Sequence, residues 1–365
     1  MNRRVLLLPL PLLLAACAAQ APRPAPPVPS RPAATVPASA LLPTVPQPPE
    51  RPLAPASVTD PLLPQPQRVQ AFVDYTASTY RLDPQVVRDG LAKAQFLQRT
   101  VDIISRPAEA VRPWRDYRPI FLNDARIAGG VAFFNDNRAA LQKVADASGV
   151  PPEYIVAIIG VETNYGQNTG NYRVLDALYS LAFGYPKRAP FFAGELAQLF
   201  ALGQDEHIDV AMLKGSYAGA MGLGQFMPSS YRLWGRDGDN DGHRDLISDK
   251  QDVFASIANY FVVHGWQRGG AVAARAMRDA GAADIAPPTL DPVYPLATLA
   301  RQGYRPQPGQ PVAEGATLLT LDGDAGKEYW LGYRNFYVIT RYNHSPMYAL
   351  AVHQLAQAIR AGSGG

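Results

Sequence analysis

The chain has 365 residues, a formal net charge of +3 and 18% charged residues. Its lysines and arginines are scattered rather than clustered, which argues against a nucleic-acid-binding surface. Cys17 is the only cysteine, so the sequence excludes internal disulfides, a catalytic thiol in the mature domain and a cysteine-ligated metal. The length allows two domains, but a large non-globular fraction favours one domain of about 300 residues.

The first 17 residues have the pattern of an export signal. Two arginines precede an apolar run over residues 5–16, which is too short to span a bilayer as a mature helix. The run ends in Leu-Ala-Ala-Cys, which resembles the lipobox of bacterial lipoproteins, where the cysteine is acylated. Ala18 resembles the outer-membrane sorting pattern of Gram-negative bacteria. We therefore predict a signal peptide over 1–17 and a periplasmic protein anchored through Cys17, to the inner leaflet of the outer membrane.

A proline-rich stretch follows the signal peptide. Residues 21–66 carry 16 of the 35 prolines and show no apolar periodicity. Such chain favours an extended polyproline II conformation of about 3 Å per residue, so the stretch can reach on the order of 100 Å. The composition predicts a tether over 18–67, and a proline-rich ligand for a partner domain stays open as an alternative.

Helical periodicity begins after this stretch. Apolar residues at spacings of three and four predict helices between residues 68 and 137. Residues 123–148 are predicted as one long helix, because Gly149 just past its end is a natural stop.

Residues 151–166, PPEYIVAIIGVETNYG, place one acid at the end of an apolar helix. Glu162 shares a stripe with three isoleucines, at i, i+3, i+4 and i+7 from Ile155. A helix that is apolar all round is normally buried, and residues 144–172 contain no Lys or Arg. Burial without a nearby cation raises a carboxyl pKa, as a general acid requires. A glutamate that simply reaches the surface at the helix end remains the alternative.

A glycine-rich run covers residues 215–230, GSYAGAMGLGQFMPSS. Its four glycines permit sharp turns and let a ligand approach the main chain. The phosphate-binding pattern GxxxxGK[ST] is absent, and so are a GxSxG elbow around Ser216 and an HExxH zinc helix. Serine-hydrolase and zinc-protease chemistry therefore lack their usual signatures.

An acidic loop follows, with the spacing of an EF-hand calcium loop. Carboxylates stand at positions 1, 3, 5 and 9 of residues 237–248, with glycine at position 6 and a backbone carbonyl available at position 7. Position 12 is Ser248, so closure is assigned to Asp249, one residue late. The predicted calcium ligands are Asp237, Asp239, Asp241, His243, Asp245 and Asp249. A solvated acidic turn is the alternative.

The predicted secondary structure changes twice in the remaining chain. Residues 252–264 are predicted to be helical, and the proline-rich residues 284–329 to contain a small strand-bearing insert. Residues 335–342 are predicted as a strand and 347–359 as a final helix.

Five runs, GVETNYG, GSYAGAMGLGQFMPSSY, DGDNDGH, ANYFVVHGW and NFYVITRYNHS, in this order resemble the membrane-bound lytic murein transglycosylase B family of bacterial peptidoglycan-cutting enzymes. The likeness covers roughly residues 70–359. It implies a mainly α (α+β) fold, with a lysozyme-like helical core, a packed helical domain and a small β-containing domain. The implied catalytic region, 68–365, comprises a helical domain at 68–137, the core at 138–283 with its EF-hand-like loop at 237–249, the β-containing domain at 284–340 and a C-terminal helix at 341–365.

The resemblance also implies a reaction, in which Glu162 is the only catalytic acid and base. The sequence offers Asn164 and no further Asp or Glu before Asp176, so no second carboxylate is evident. In the family, the N-acetyl group of the muramic acid assists bond cleavage, and the sugar's own C6 hydroxyl then attacks. The product is a 1,6-anhydromuramyl end, formed without water.

Substrate contacts carry over by motif. The implied groove residues are Tyr117, Lys187, Arg188, Ser216, Gln225, Phe226, Tyr260, Tyr342, Asn343 and Tyr348. Gln225 is expected to hydrogen-bond the sugar or Glu162, Phe226 to stack on a sugar face, and the basic pair to meet carboxylates of the substrate. A tyrosine taken alone is more often a core residue, and surface solvation is the alternative for the basic pair.

We therefore predict a lytic transglycosylase with no catalytic cofactor and a structural Ca²⁺. The expected partners are peptidoglycan glycan strands and, through the lipid anchor, a membrane, with no nucleic acid and a monomeric chain. A hydrolytic muramidase and a non-catalytic peptidoglycan-binding lipoprotein remain the alternatives.

Overall fold

A computed structural model describes residues 41–48, 51, 53–106 and 112–364. The predicted signal peptide, the predicted anchor Cys17 and residues 18–40 of the predicted tether lie outside the described residues.

Helices make up most of the described chain. In order they are α1 (Ala56–Thr59), α2 (Gln65–Tyr80), α3 (Pro84–Ala92), α4 (Gln98–Ser105), α5 (Trp114–Phe121), α6 (Asp124–Asp136), α7 (Arg138–Ser148), α8 (Pro152–Thr163), α9 (Val174–Gly184), α10 (Ala189–Asp205), α11 (Pro228–Trp234), α12 (Lys250–Val263), α13 (Leu296–Arg301), α14 (Arg334–Tyr342) and α15 (Pro346–Gly362). A 3₁₀ turn, Pro186–Arg188, joins α9 to α10. Within the described ranges no single helix has the length and apolarity of a membrane span. Helices α7 and α8 reach that length and apolarity only when they are taken together, and the chain bends by 115° between them.

The strands are short. They are β1 (Tyr172–Arg173), β2 (Lys214–Gly215), β3 (Ala273–Arg278), β4 (Tyr294–Pro295), β5 (Tyr304–Pro306), β6 (Gly315–Gly323) and β7 (Gly326–Gly332). β1 and β2 form one antiparallel pair, and the others form an antiparallel sheet in the order β4-β6-β7-β3-β5. The mainly α (α+β) fold class is confirmed.

Helix α8 lies at the centre of the larger hydrophobic core. Pro152 can begin it because the missing N–H would have no partner in the first turn. Ile155, Ile158 and Ile159 are fully buried, and α6, α7, α12 and α15 pack against the helix. The predicted apolar helix that carries Glu162 near its end is therefore confirmed.

The sheet has a smaller core of its own, which includes Tyr304, Leu331 and Tyr333. Strands occur within the predicted β-containing domain at 284–340. The sheet also includes β3, which precedes residue 284, and its last strand ends at Gly332.

The strand predicted over residues 335–342 is wrong, because these residues form α14. Valine, isoleucine and aromatic residues favour strands locally. Phe336, Val338 and Ile339 are nevertheless fully buried in the helical core. Tertiary packing thus decides the conformation against local propensity.

The single long helix predicted over residues 123–148 is also wrong, because α6 and α7 are separated at Asn137. The side-chain Nδ2 of Asn137 donates to the carbonyl of Phe133 at 2.7 Å. That carbonyl is the acceptor that the backbone N–H of Asn137 would need in a continuous helix. The N–H turns to Phe134 O instead, at 3.3 Å.

The tether predicted over 18–67 is wrong from residue 42 onward. Val45 and Ala54 are only 6% and 5% exposed, and Val58 of α1 is fully buried. Helix α2 already begins at Gln65. Proline fixes its own backbone angle, but it does not prevent the residues between prolines from packing.

Three helical glycines make room for Tyr165, which follows the end of α8. A Cβ atom on Gly160 of α8 would lie 2.7 Å from the Tyr165 ring, and one on Gly130 of α6 would lie 2.5 Å from its hydroxyl oxygen. A Cβ on Gly129 would come within 3.1 Å of the same ring. The Tyr165 hydroxyl donates to Arg126 O at 2.8 Å, which fixes the ring between α6 and α8.

We expect Gly160→Ala to lower the free energy of unfolding by about 1–3 kcal/mol, the usual cost of overpacking. Helix propensity alone would favour alanine by up to about 1 kcal/mol. A decrease in the free energy of unfolding would therefore identify the contact with the Tyr165 ring as the dominant effect. Chemical denaturation measures it. In a Tyr165→Ala background the same substitution should no longer destabilise, and an equal loss there would contradict the explanation.

Candidate active site

Glu162 lies in the last turn of α8 and is half-buried. Burial raises the pKa of its carboxyl group from 4.5 to about 7, because the charged form loses hydration. A hydrogen bond from the Tyr348 hydroxyl to Glu162 Oε1, 2.6 Å long, acts in the opposite direction and lowers the pKa. The carboxyl group therefore exchanges its proton near neutral pH.

Two more tyrosines stand close to this carboxyl group. Burial, and then the negative charge of Glu162, raise the pKa of Tyr348 and Tyr342 well above 10.0. The same two causes raise the pKa of Tyr117, which is half-buried on α5. All three phenols therefore keep their protons at neutral pH, and Tyr348 remains a hydrogen-bond donor to the carboxylate.

The end of α8 is tied to the glycine-rich run. Thr163 is fully buried, and its hydroxyl lies 3.1 Å from Leu223 O in that run. Asn164 and Tyr165 then adopt positive φ angles of 51° and 58°, which reverse the chain sharply. Glu162 is thus held between a rigid helix and the glycine-rich run.

A cavity of about 630 Å³ opens next to this cluster. It is lined by Gln47, Pro48, Arg51, Leu53, Arg188, Phe191, Gln225, Phe226, Met227, Ser230, Trp234, Tyr260, His264, Arg341, Tyr342 and His344. Tyr342 belongs both to this lining and to the surroundings of Glu162, so the cavity adjoins the acid, which is not itself a lining residue.

Gln225, Phe226 and Tyr260 of the predicted set lie in the cavity wall, where contacts within the protein already engage their side chains. The Gln225 amide donates to Thr169 O and Gly222 O, at 3.1 and 2.9 Å, and not to Glu162. Tyr260 donates to Arg341 O at 2.6 Å. Phe226 is only 3% exposed and meets Tyr260 edge to face, which leaves little of its ring for stacking on a sugar.

Arg188 also lines the cavity, whereas Lys187, Ser216 and Asn343 do not. Lys187 and Asn343 are exposed. The Ser216 hydroxyl oxygen accepts the N–H groups of Ala218 and Ala220, so it stabilises its own loop. The structure thus brings together seven of the ten predicted groove residues around Glu162 or in the cavity wall.

Three carboxylates come together at the acidic loop, and Asp249, which the sequence assigns to its closure, is not among them. Carboxylate oxygens of Asp237, Asp239 and Asp252 lie within 4.8 Å of one another. Asp249 instead caps α12, where it accepts the N–H groups of Gln251 and Asp252 at 2.6 and 3.2 Å.

Asp241 and Asp245 are not in this group, although, like Asp237, each accepts backbone N–H groups of the loop. Asp241 accepts the N–H of His243 at 2.8 Å, and Asp245 accepts the N–H groups of Ile247 and Ser248 at 2.8 and 2.9 Å. Asp252 lies outside the twelve-residue pattern, so spacing alone could not identify it.

Sequence reasoning also missed most of the cavity wall. Arg51 lies in the predicted tether, and Trp234, His264 and Arg341 stand on helices or at a helix end, where aromatic and basic residues are common. Only their shared orientation toward one cavity marks them, and the linear pattern carries no such signal.

A carboxylic acid with a pKa near 7, beside an open groove of aromatic and polar side chains in a mainly helical fold, is the arrangement expected of an enzyme that cleaves glycosidic bonds. The model of the transglycosylase SLT domain family matches residues 64–357. Membrane-bound lytic murein transglycosylase B of Escherichia coli strain K12 is 42% identical over 301 residues, which cover 80% of this chain and 82% of that protein.

Two solved structures share the fold. The lytic transglycosylase Slt35 of Escherichia coli, in complex with calcium, has a TM-score of 0.74 and 39% identity, and the match covers 86% of this chain and 97% of that chain. SltB3 of Pseudomonas aeruginosa, in complex with NAG-anhNAM-pentapeptide, has a TM-score of 0.70 and 28% identity, with 81% and 80% covered.

The chain belongs to the transglycosylase SLT domain family. It is a lytic transglycosylase of peptidoglycan, so the predicted family, enzyme class and lysozyme-like fold are confirmed. A non-catalytic binding lipoprotein is thereby set aside.

We expect Tyr348→Phe to move the alkaline limb of the pH dependence of kcat/KM to higher pH, by about one unit. The lost hydrogen bond favoured the carboxylate, so the pKa of Glu162 rises and the acid stays protonated longer as pH increases. Turnover of purified murein against pH measures the shift. Tyr304→Phe, which removes a buried hydroxyl in the sheet, should leave the profile in place. A shift to lower pH in Tyr348→Phe would refute the assignment.

Proposed function

We propose that Glu162 alone serves as acid and base, and that the enzyme cleaves the β-1,4 bond between MurNAc and GlcNAc to leave a 1,6-anhydro-MurNAc end. The observation that carries this proposal is a half-buried carboxyl group with a pKa of about 7 and a single hydrogen-bond donor, Tyr348. A group whose pKa lies near the working pH can give a proton and then take one.

In the first step Glu162 protonates the glycosidic oxygen, and the bond from that oxygen to C1 of MurNAc breaks. The N-acetyl group of the same sugar stabilises the cationic C1. Glu162 is now a carboxylate, and the hydrogen bond from Tyr348 stabilises it in that form. In the second step the C6 hydroxyl attacks C1 and gives its proton to Glu162, which restores the acid without water.

The surroundings of Glu162 support a single-carboxylate mechanism. The next acid in the sequence, Asp176, is 4% exposed and accepts hydrogen bonds from Gln95 N and Arg173 Nη2, at 2.8 and 2.7 Å. The Asp176 carboxylate therefore links α9 to the segment after α3. A retaining glycosidase would need a second carboxyl group about 5 Å from the first. The proposal therefore assigns the nucleophile to the substrate, as its C6 hydroxyl.

We expect Glu162→Gln to reduce murein cleavage by about a thousandfold, because glutamine keeps the shape of the side chain and cannot transfer the proton. Product ends from the active enzyme should be one water lighter than reducing ends by mass spectrometry. The matched control is Glu153→Gln on the first turn of the same helix, whose carboxylate is 3.8 Å from Arg360. It should retain activity.

Reducing ends in the digest would favour a hydrolytic muramidase. An active, folded Glu162→Gln variant would remove Glu162 from the mechanism altogether.

We also propose that the acidic loop binds a structural Ca²⁺ through Asp237, Asp239 and Asp252. Burial raises the pKa of Asp252, and the negative charges of Asp249 and Asp237 add to this effect. A divalent cation would relieve that repulsion, and oxygen ligands are those that Ca²⁺ prefers. The solved structure of Slt35 is a complex with calcium, which supports calcium binding by this fold. No group in the loop is suited to attack a sugar, so the ion would stabilise the fold.

We expect Ca²⁺ to raise the melting temperature of a metal-free sample, because it binds the folded state. Asp252→Asn should abolish most of this rise. Asp249→Asn should leave the melting temperature of the metal-free protein nearly unchanged, because asparagine caps a helix as well as aspartate does, and should keep the rise with Ca²⁺. Calorimetry with a chelator and with millimolar Ca²⁺ separates these effects. Loss of the rise in Asp249→Asn alone would restore the ligand assignment made from the sequence.

We place the enzyme in the periplasm, anchored to the outer membrane through a lipid on Cys17. The lipobox-like residues 14–17 and the membrane-bound relative in Escherichia coli support this location. Fatty-acid labelling of the full-length chain tests the anchor. The monomeric state stays a prediction.

A further inference from the structure

The segment before α1 crosses the groove as a strap, defined here as residues 42–48, 51, 53 and 54. At one end the N–H of Leu42 donates to Val293 O at 2.7 Å, beside the small sheet. At the other end the N–H of Ala54 donates to Pro190 O at 3.0 Å, in the first turn of α10. The strap therefore joins the β-containing part of the molecule to the helical core.

Four residues of the strap line the cavity next to Glu162: Gln47, Pro48, Arg51 and Leu53. The strap precedes residue 64, where the match to the transglycosylase domain begins. One wall of the cavity is thus built by chain that lies outside the matched domain.

The cavity has a strongly positive lining. Arg51, Arg188 and Arg341 all face it, and the described lining residues include no Asp or Glu. Burial lowers the pKa of His344 and of His264, in the latter case to about 4, and the positive charges of Arg341 and Arg51 act in the same direction. Both histidines are therefore neutral hydrogen-bonding groups at neutral pH, and the arginines carry the charge.

Arg51 is held in place without using all its donors. Its guanidinium lies 5.2 Å from the centroid of the Trp234 ring, and Nη1 is 3.3 Å from Glu195 Oε1. Glu195 also accepts the N–H and the hydroxyl of Ser229, at 2.9 and 2.6 Å. The Arg51 side chain remains 27% exposed. A guanidinium has five N–H donors in a planar fork, so a second carboxylate can still bind it.

We propose that Arg51 of the strap binds a carboxylate of the peptide stem on the peptidoglycan strand. This inference rests on the proposed substrate and adds the part of the substrate that the strap recognises. In a peptide-bearing strand the lactyl carboxyl group of MurNAc is used in the amide bond to the stem, so the carboxylates of that strand lie on the stem; a peptide-free strand carries the lactyl carboxylate instead. Three arginines around one cavity suit the carboxylates of the stem, and the Arg–carboxylate pair is the strongest charge-assisted hydrogen bond available there.

The test measures binding in the full-length chain with Glu162→Gln, so that the ligand is not cleaved. Peptide-bearing and peptide-free glycan strands of equal length are titrated in parallel. Arg51→Ala should weaken binding of the peptide-bearing strand about tenfold and leave the peptide-free strand unchanged. Arg51→Lys should weaken binding of the peptide-bearing strand by less than tenfold, because lysine keeps the positive charge and lacks the planar set of donors. Arg99→Ala on α4 is the matched control, because Arg99 is exposed and outside the cavity lining.

Equal weakening on both strands would mean that Arg51 shapes the wall or binds the lactyl carboxylate rather than the stem, and no weakening on either would mean that it does not bind substrate. Both results overturn the inference. The melting temperature of each variant shows whether the fold is intact, and Arg51→Lys serves if Arg51→Ala fails to fold. Because binding is measured without cleavage, the result is independent of the proposed anhydro product.

Discussion

The site depends on one carboxyl group that is kept out of water without a positive partner. Helix α8 carries Glu162 out of the apolar core, and the phenols of Tyr348 and Tyr342 occupy the space that water or a cation would otherwise take. Burial raises the pKa to about 7, and the hydrogen bond from Tyr348 keeps it from rising further. The balance between these two effects sets the acid close to the pH at which one group can both donate and accept a proton.

Much of this arrangement could be read from the sequence. The apolar stripe ending in Glu162 predicted the buried helix, because periodicity and proline placement are local properties. The co-ordered motifs predicted the family, and through it they predicted Tyr348 and Tyr342 as groove residues. Those motifs carry information about distant contacts that periodicity cannot supply.

The errors share a physical cause. Residues 335–342 have strand propensity, but their burial against α15 and the core imposes a helix. Asn137 breaks a helix through a side-chain bond that competes with the backbone. Asp252 joins the acidic loop across three-dimensional space, and Arg51 reaches the groove from a stretch whose prolines suggested extended chain. In each case a tertiary contact outweighs the local signal.

The strap also limits how such an enzyme can be freed from a membrane. Gln47, Pro48 and Arg51 wall the groove, so a protease that cut between the strap and α2 would release a domain with one side of its cavity missing. A cut before residue 42 would leave that wall in place. A shortened form of this enzyme therefore keeps its groove intact only if it retains the chain from residue 42 onward, because that chain is already part of the groove.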